Sequence, residues 1–157
     1  MPRYKIKTVQ HALAHLGIKE LYRWFSIMML RDMRNIENAE LIKLSLIRGK
    51  FMELLAEELD TADPTLDYFF ADMFSFIDVL LNRPMKQILD GLPISDAVKR
   101  ALLGEQNEFR DLLDCVVAGE SISRDRGCSL CEKCQISARR FMSLYMESLR
   151  WAKMLHY

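Results

Sequence analysis

Marked only as apolar or polar, the chain shows helical periodicity in one segment after another. VQHALAHL follows Thr8, a residue suited to capping, and stops at Gly17, the position favoured just after a helix end. In IKELYRWFSIMMLRDM, Leu21, Trp24, Phe25 and Met28 recur at helical spacing. Ile27, Met29 and Leu30 carry the apolar surface nearly all round, which predicts the most buried helix of the protein. Asn38 is placed to cap AELIKLSLIRGKFMELLAEEL, where Leu41, Leu44, Phe51 and Leu55 form a stripe and Glu57 and Glu58 face water. Asp63 reads as a cap and Pro64 as the first helical residue of TLDYFFADMFSFIDVLLN. Pro84 opens the short PMKQILD, closed by Gly91, and Ser95 caps DAVKRALL, closed by Gly104. NEFRDLLDCVVA ends at Gly119, and a last long helix carries ISARRFMSLYMESLRWAKML. No segment alternates as a strand would, and there is no internal repeat. The pattern predicts an all-α protein, a compact bundle of seven or eight helices in one domain over 1–157. Residues 1–7 are expected as a flexible lead-in and 119–129 as a loop.

Composition narrows this picture. A length of 157 residues suits one domain with a sizeable core. Lys+Arg and Asp+Glu balance at 22 each, so net charge makes no case for nucleic acid or an acidic lipid surface as partner. MPRYKIKTVQHAL lacks the apolar core of a signal peptide. The longest apolar stretch, Trp24 to Leu30, is interrupted by Ser26 and is far shorter than the roughly 20 residues that span a bilayer. A cytoplasmic location with reduced thiols is therefore expected, and no disulfides. The ten methionines, several of them in WFSIMML and RRFMSLYM, are compatible with a pliable binding surface. Core filling is the expected use, because most lie on the apolar stripes.

The wording and order of the helices carry a resemblance. VQHALAHLGIKELYRWFSIMMLRD looks like the centre of the HD-related output domain (HDOD), and FSFIDVLLNRPMKQILDGLPISDAVKRALLG followed by LLDCVVAGE is similar to its C-terminal half. LYMESLRWA resembles the final helix of the version found in bacterial EAL–HDOD cyclic-di-GMP signalling proteins. The resemblance covers roughly residues 6–155, and its most specific part runs from Asp78 to Ile94. The helices that open the family's module before VQHAL have no counterpart here, nor has an EAL-type carboxylate constellation. The resemblance thus implies the latter part of a module with the HD/HDOD type of fold.

HD phosphohydrolases hold a divalent metal through an adjacent His-Asp pair with further His and Asp ligands. Here His11 is followed by Ala12, His15 by Leu16 and His156 by Tyr157, so no such pair exists. His11 and His15 share a helix face at i, i+4, the spacing of a zincin, but no Glu stands between them and no third ligand is near. They read as structural histidines, and the resemblance implies the same, since output domains are HD relatives without these ligands. Gly49 in IRGKF has no glycine companions to cradle a phosphate, and no G-x-S-x-G elbow occurs. Asp111 and Asp114, at i, i+3, read as a solvated helix face.

The cysteines are the remaining candidates. Cys128, Cys131 and Cys134 fall at C-x2-C-x2-C spacing, with Cys115 upstream. Cys115 follows Leu112 and Leu113 and precedes Val116 and Val117, which predicts a small core residue. Ser129 and Glu132 form a capping box, so the last helix is expected to begin near Leu130. Its stripe would then run Leu130, Cys134, Ala138, Phe141, Tyr145, Leu149 and Ala152. A structural zinc site needs four ligands, and the ferredoxin-like run lacks its fourth cysteine, so the window reads as incidental. A metal or redox role for Cys128, Cys131 and Cys134 is the competing reading. The expectation is therefore a non-catalytic output or regulatory module without cofactor. It would act on a protein partner or attached signalling domain and form a homodimer through the apolar faces of residues 8–33.

Overall fold

AELIKLSLIRGKFMELLAEE is built of straight-chain and aliphatic residues that lose little freedom in a helix, with no β-branched run and no proline. It forms α1, Glu37–Glu58. The computed structural model describes residues 37–92, 94–121 and 136–154, all of its regular structure helical. Residues 8–33, with the expected first two helices, the expected lead-in and all three histidines lie outside the described residues.

Asn38 stands inside α1 rather than capping it: Glu37 before it is already helical, and Glu37, Ala39 and Glu40 are good helix formers. From Ser45 to Ala56 the helix is buried nearly all round. Leu44, expected on the buried stripe, is exposed, and Ile42 and Leu46 take the inner positions. The end of α1 is a Schellman turn: Asp60 adopts φ 50°, its N–H donates to Glu57 O, and the Thr61 N–H donates to Ala56 O.

The aromatic segment after Pro64 divides into three. α2 spans Thr65–Met73, a 3-10 turn covers Phe74–Phe76, and α3 covers Ile77–Leu81. Pro64, rather than Asp63, sits at the cap, with ψ 132° and no side-chain capping bond. The break has a local cause. Ser75 Oγ donates to the Asp72 carbonyl at 2.6 Å, a side-chain bond that competes with the helical ladder, and Phe76 leaves the helical region at φ −109°, ψ 7°. Asn82 then closes α3 in a second left-handed turn, φ 49°.

α4, Met85–Leu89, starts after Pro84, and α5, Asp96–Leu102, starts after Ser95, whose Oγ accepts from the Val98 N–H at 3.3 Å. Gly104, φ 96°, ends α5 as expected. α6, Glu108–Ser121, is capped by Asn107, whose Oδ1 accepts from the Arg110 N–H at 3.0 Å. The helix runs through Gly119, so the expected loop does not begin there. A glycine inside a helix costs only about 1 kcal/mol, and Gly119 does not take the positive φ that would stop the ladder. α7, Ala138–Met154, begins later than expected: Ile136 and Ser137 are not helical, and Ser137 Oγ accepts from the Arg140 N–H at 3.1 Å. Non-helical residues that cap α7 separate it from any helix begun near Leu130, and Leu130 itself lies outside the described residues.

α1 is the axis, packed against α2 on one side and α7 on another. One apolar cluster joins Phe51, Leu55, Tyr68, Val98, Phe109 and Leu144; a second joins Ile42, Leu46, Phe69, Phe70, Ile77 and Leu80. Tyr68 and Phe69, adjacent on α2, are assigned to different clusters, so α2 links the two.

Candidate interaction surface

Arg48 on α1 lies 2.9 Å from Asp72 on α2, the two side chains 5% and 0% exposed, and the guanidinium stands 4.7 Å from the centre of the Phe76 ring. Ser75 Oγ also reaches Asp72 Oδ1 at 3.3 Å. The pair joins α1 to α2, and each charge offsets the cost of burying the other. Nearby, the Lys50 ammonium lies 5.7 Å from the Trp151 ring centre and 3.2 Å from Glu53 Oε2. Burial raises the Glu53 carboxyl above the ordinary value, against the pull of Lys50.

Tyr68 ties α2 to α6. Its ring packs on Phe109 at 4.5 Å between centres, and its hydroxyl approaches Glu108 Oε2 at 3.5 Å. Burial pushes the phenol up to about 12. Asp111 and Asp114 are exposed, as expected; Gln106 bonds the first and Arg110 lies 3.1 Å from the second. Cys115 is buried in the first cluster, in the core role read from its neighbours. Cys128, Cys131 and Cys134 lie outside the described residues, as do His11, His15 and His156. Among the described residues no group of three His, Cys, Asp or Glu side chains is placed to hold a metal ion.

α7 differs from the other elements in what it leaves outside. Its inner side is formed by Phe141, Leu144, Tyr145, Ser148 and Ala152. Phe51 of α1 meets the edges of Phe141 and Tyr145 at 4.8 and 5.6 Å, and the buried Ser148 hydroxyl donates to the Tyr145 carbonyl at 2.6 Å. Leu144 and Ser148, absent from the expected stripe, are its most buried members, and Ala138 is exposed. At the N-terminal end Arg140 makes a two-pronged bond to Glu58, Nε to Oε1 at 2.9 Å and Nη2 to Oε2 at 2.8 Å. The hydrogen bonds from Arg140 hold the Glu58 carboxyl below its ordinary value.

The outer side carries Met142, Met146 and Met154, which are 53%, 47% and 74% exposed. Core filling accounts for Met52 and Met73, buried at 0% and 1%, but not for these three. A stripe on a helix finds a core only where another element lies against it, and α7 packs chiefly on α1, which covers one face. Arg139, Arg150 and Lys153 are exposed on the same outer side. No described helix is long and apolar enough to cross a membrane.

Comparison with known proteins gives two relatives. The chain is 37% identical over 150 residues to the uncharacterized protein YuxH of Bacillus subtilis, covering 94% of this chain and 36% of the relative. It is 31% identical over 109 residues to the cyclic di-GMP phosphodiesterase CdgJ of Vibrio cholerae, covering 69% of this chain and 25% of that protein. The chain thus spans about a third or less of the length of these relatives. No family model matches it, and no solved structure does.

Proposed function

We propose that this chain is a non-catalytic output module of the HDOD type, which serves cyclic-di-GMP signalling through contacts with a protein partner or an attached signalling domain. The observation that carries the reading is the similarity to a cyclic di-GMP phosphodiesterase across 69% of the chain. With it goes a sequence that holds no His-Asp pair in any of its three histidine contexts. Metal-assisted phosphodiester hydrolysis needs a held cation and an activated water, and the sequence offers no such ligand set. The all-helical fold supports the HDOD reading, and so does the run from Asp78 to Ile94, in which Pro84 and left-handed Asn82 punctuate α3 and α4. A two-fold homodimer belongs to the same reading, as does a soluble cytoplasmic protein. The test is incubation with cyclic di-GMP in the presence of manganese or magnesium. No turnover is expected. Metal-dependent turnover that survives repurification and disappears in His11→Ala or His15→Ala rejects the proposal.

The competing reading is a metal- or redox-responsive helical domain, and the spacing of Cys128, Cys131 and Cys134 is the observation that favours it. Elemental analysis of protein purified without chelator separates the two.

A further inference from the structure

We infer that the outer face of α7 is a docking surface for an acidic amphipathic helix of a protein partner; this rests on the contact-module reading above and gives it a place. Met142 and Met146 are one turn apart, and Met154, about 120° round the helix from Met142, stands on the same outward half. Three half-exposed or more exposed thioethers there offer a pliable apolar strip that adapts to the side chains of a partner.

The charge around the strip specifies the partner. The whole chain is balanced, 22 basic against 22 acidic residues, yet α7 carries Arg139, Arg140, Arg150 and Lys153 against Glu147 alone. Arg140 is committed to Glu58. Arg139, Lys153 and Arg150, whose Nε donates to the Met146 carbonyl at 3.4 Å, are exposed beside the methionines, and a carboxylate-bearing helix complements them. Pairing α7 with α7 of a second copy would set these like charges against one another. A membrane surface fits less well, because interfacial helices insert large apolar side chains such as Trp, Phe and Leu. In α7 the largest of these, Phe141, Leu144 and Trp151, are turned toward the body of the protein.

The experiment uses the full chain and two fluorescein-labelled helical peptides with the same leucine stripe, one with glutamate and one with lysine on the flanks. Fluorescence anisotropy should show the glutamate peptide binding at least about tenfold tighter than the lysine peptide, and weakening as salt rises. Met142→Glu/Met146→Glu should weaken it by at least about tenfold, and Arg139→Gln/Arg150→Gln should remove most of the difference between the peptides. Circular dichroism on both variants confirms that the fold is retained, as expected at exposed positions. No binding, equal affinity for both peptides, or binding unchanged in both variants overturns the inference. So does binding to phosphatidylserine vesicles in preference to the glutamate peptide, or a chain mass that falls in the methionine variant, which would mean that a second copy covers this face. Hydrolysis of cyclic di-GMP by the same preparation would reject the functional reading independently of peptide binding.

Discussion

Arg48 and Asp72 approach to 2.9 Å where α1 crosses α2, and neither side chain reaches solvent to a useful extent. Two charges withdrawn from water are tolerated only as a pair, so each makes the other necessary. Asp72→Ala should therefore cost about 3–5 kcal/mol in urea unfolding, the usual result of leaving one charge buried alone. Replacing both groups, as Arg48→Met/Asp72→Leu, should recover most of that loss. A single variant within about 1 kcal/mol of the wild type would show that the pair does not hold the crossing.

Gly49 lies at the same crossing. A Cβ there would meet the Phe69 carbonyl oxygen at 3.0 Å and two ring carbons of Phe69 at 3.2 Å. Glycine to alanine inside a helix ordinarily gains up to about 1 kcal/mol, but forcing a methyl into a packed contact costs about 1–3 kcal/mol. The backbone oxygen cannot swing aside, so Gly49→Ala is expected to lower the melting temperature. A rise would mean that α1 and α2 separate at little cost.

Glu53 and Glu58 should affect stability in opposite senses as pH changes. Burial raises the Glu53 carboxyl above 4.5, so its favourable contribution is present below that value and is lost as pH rises through the raised one. Glu53→Gln should thus be more stable than wild type at pH 7 and lose that advantage in acid. Arg140 lowers the Glu58 carboxyl, so its contribution is present above 4.5 and fades as pH falls through the lowered value. Glu58→Gln should be the less stable variant at pH 7 and converge with wild type in acid. Denaturant midpoints of the two variants between pH 3 and 7 check both signs.

If the cysteine window is incidental, Cys128→Ser, Cys131→Ser and Cys134→Ser should each shift stability by less than about 1 kcal/mol, as surface or half-buried substitutions usually do. Stoichiometric zinc or iron in the wild type, with unfolding on chelation, would instead establish the competing metal reading.

A homodimer is proposed through the apolar faces that helical spacing predicts over residues 8–33, with Leu13, Leu16, Trp24, Ile27 and Met28 among them. Left uncovered, predicted faces of this kind would exceed the few hundred Å² of contiguous apolar surface that a monomer usually exposes. Light scattering at low micromolar concentration should give twice the chain mass. A monomer mass means that those faces are covered within one chain.

Helical class was legible in the sequence because periodicity, caps and scarce glycine act over a few residues. Ser95 and Gly104 bound α5 as read, since the capping bond to Val98 and the left-handed turn are local chemistry. Cys115 was legible as core for a similar reason: its leucine and valine neighbours already mark the inner face of α6. Other features depended on tertiary partners. Leu44 and Ile42 are equally apolar, and only the position of α2 against α1 decides which is buried. The division of the segment after Pro64 turns on Ser75 and on Asp72, whose charge is acceptable in the core only beside Arg48, 24 residues away in the chain. The methionines of α7 show the same limit on their outer side. Their spacing is that of a buried stripe, and they stay exposed because α1 covers only the opposite face, an outcome that packing alone decides.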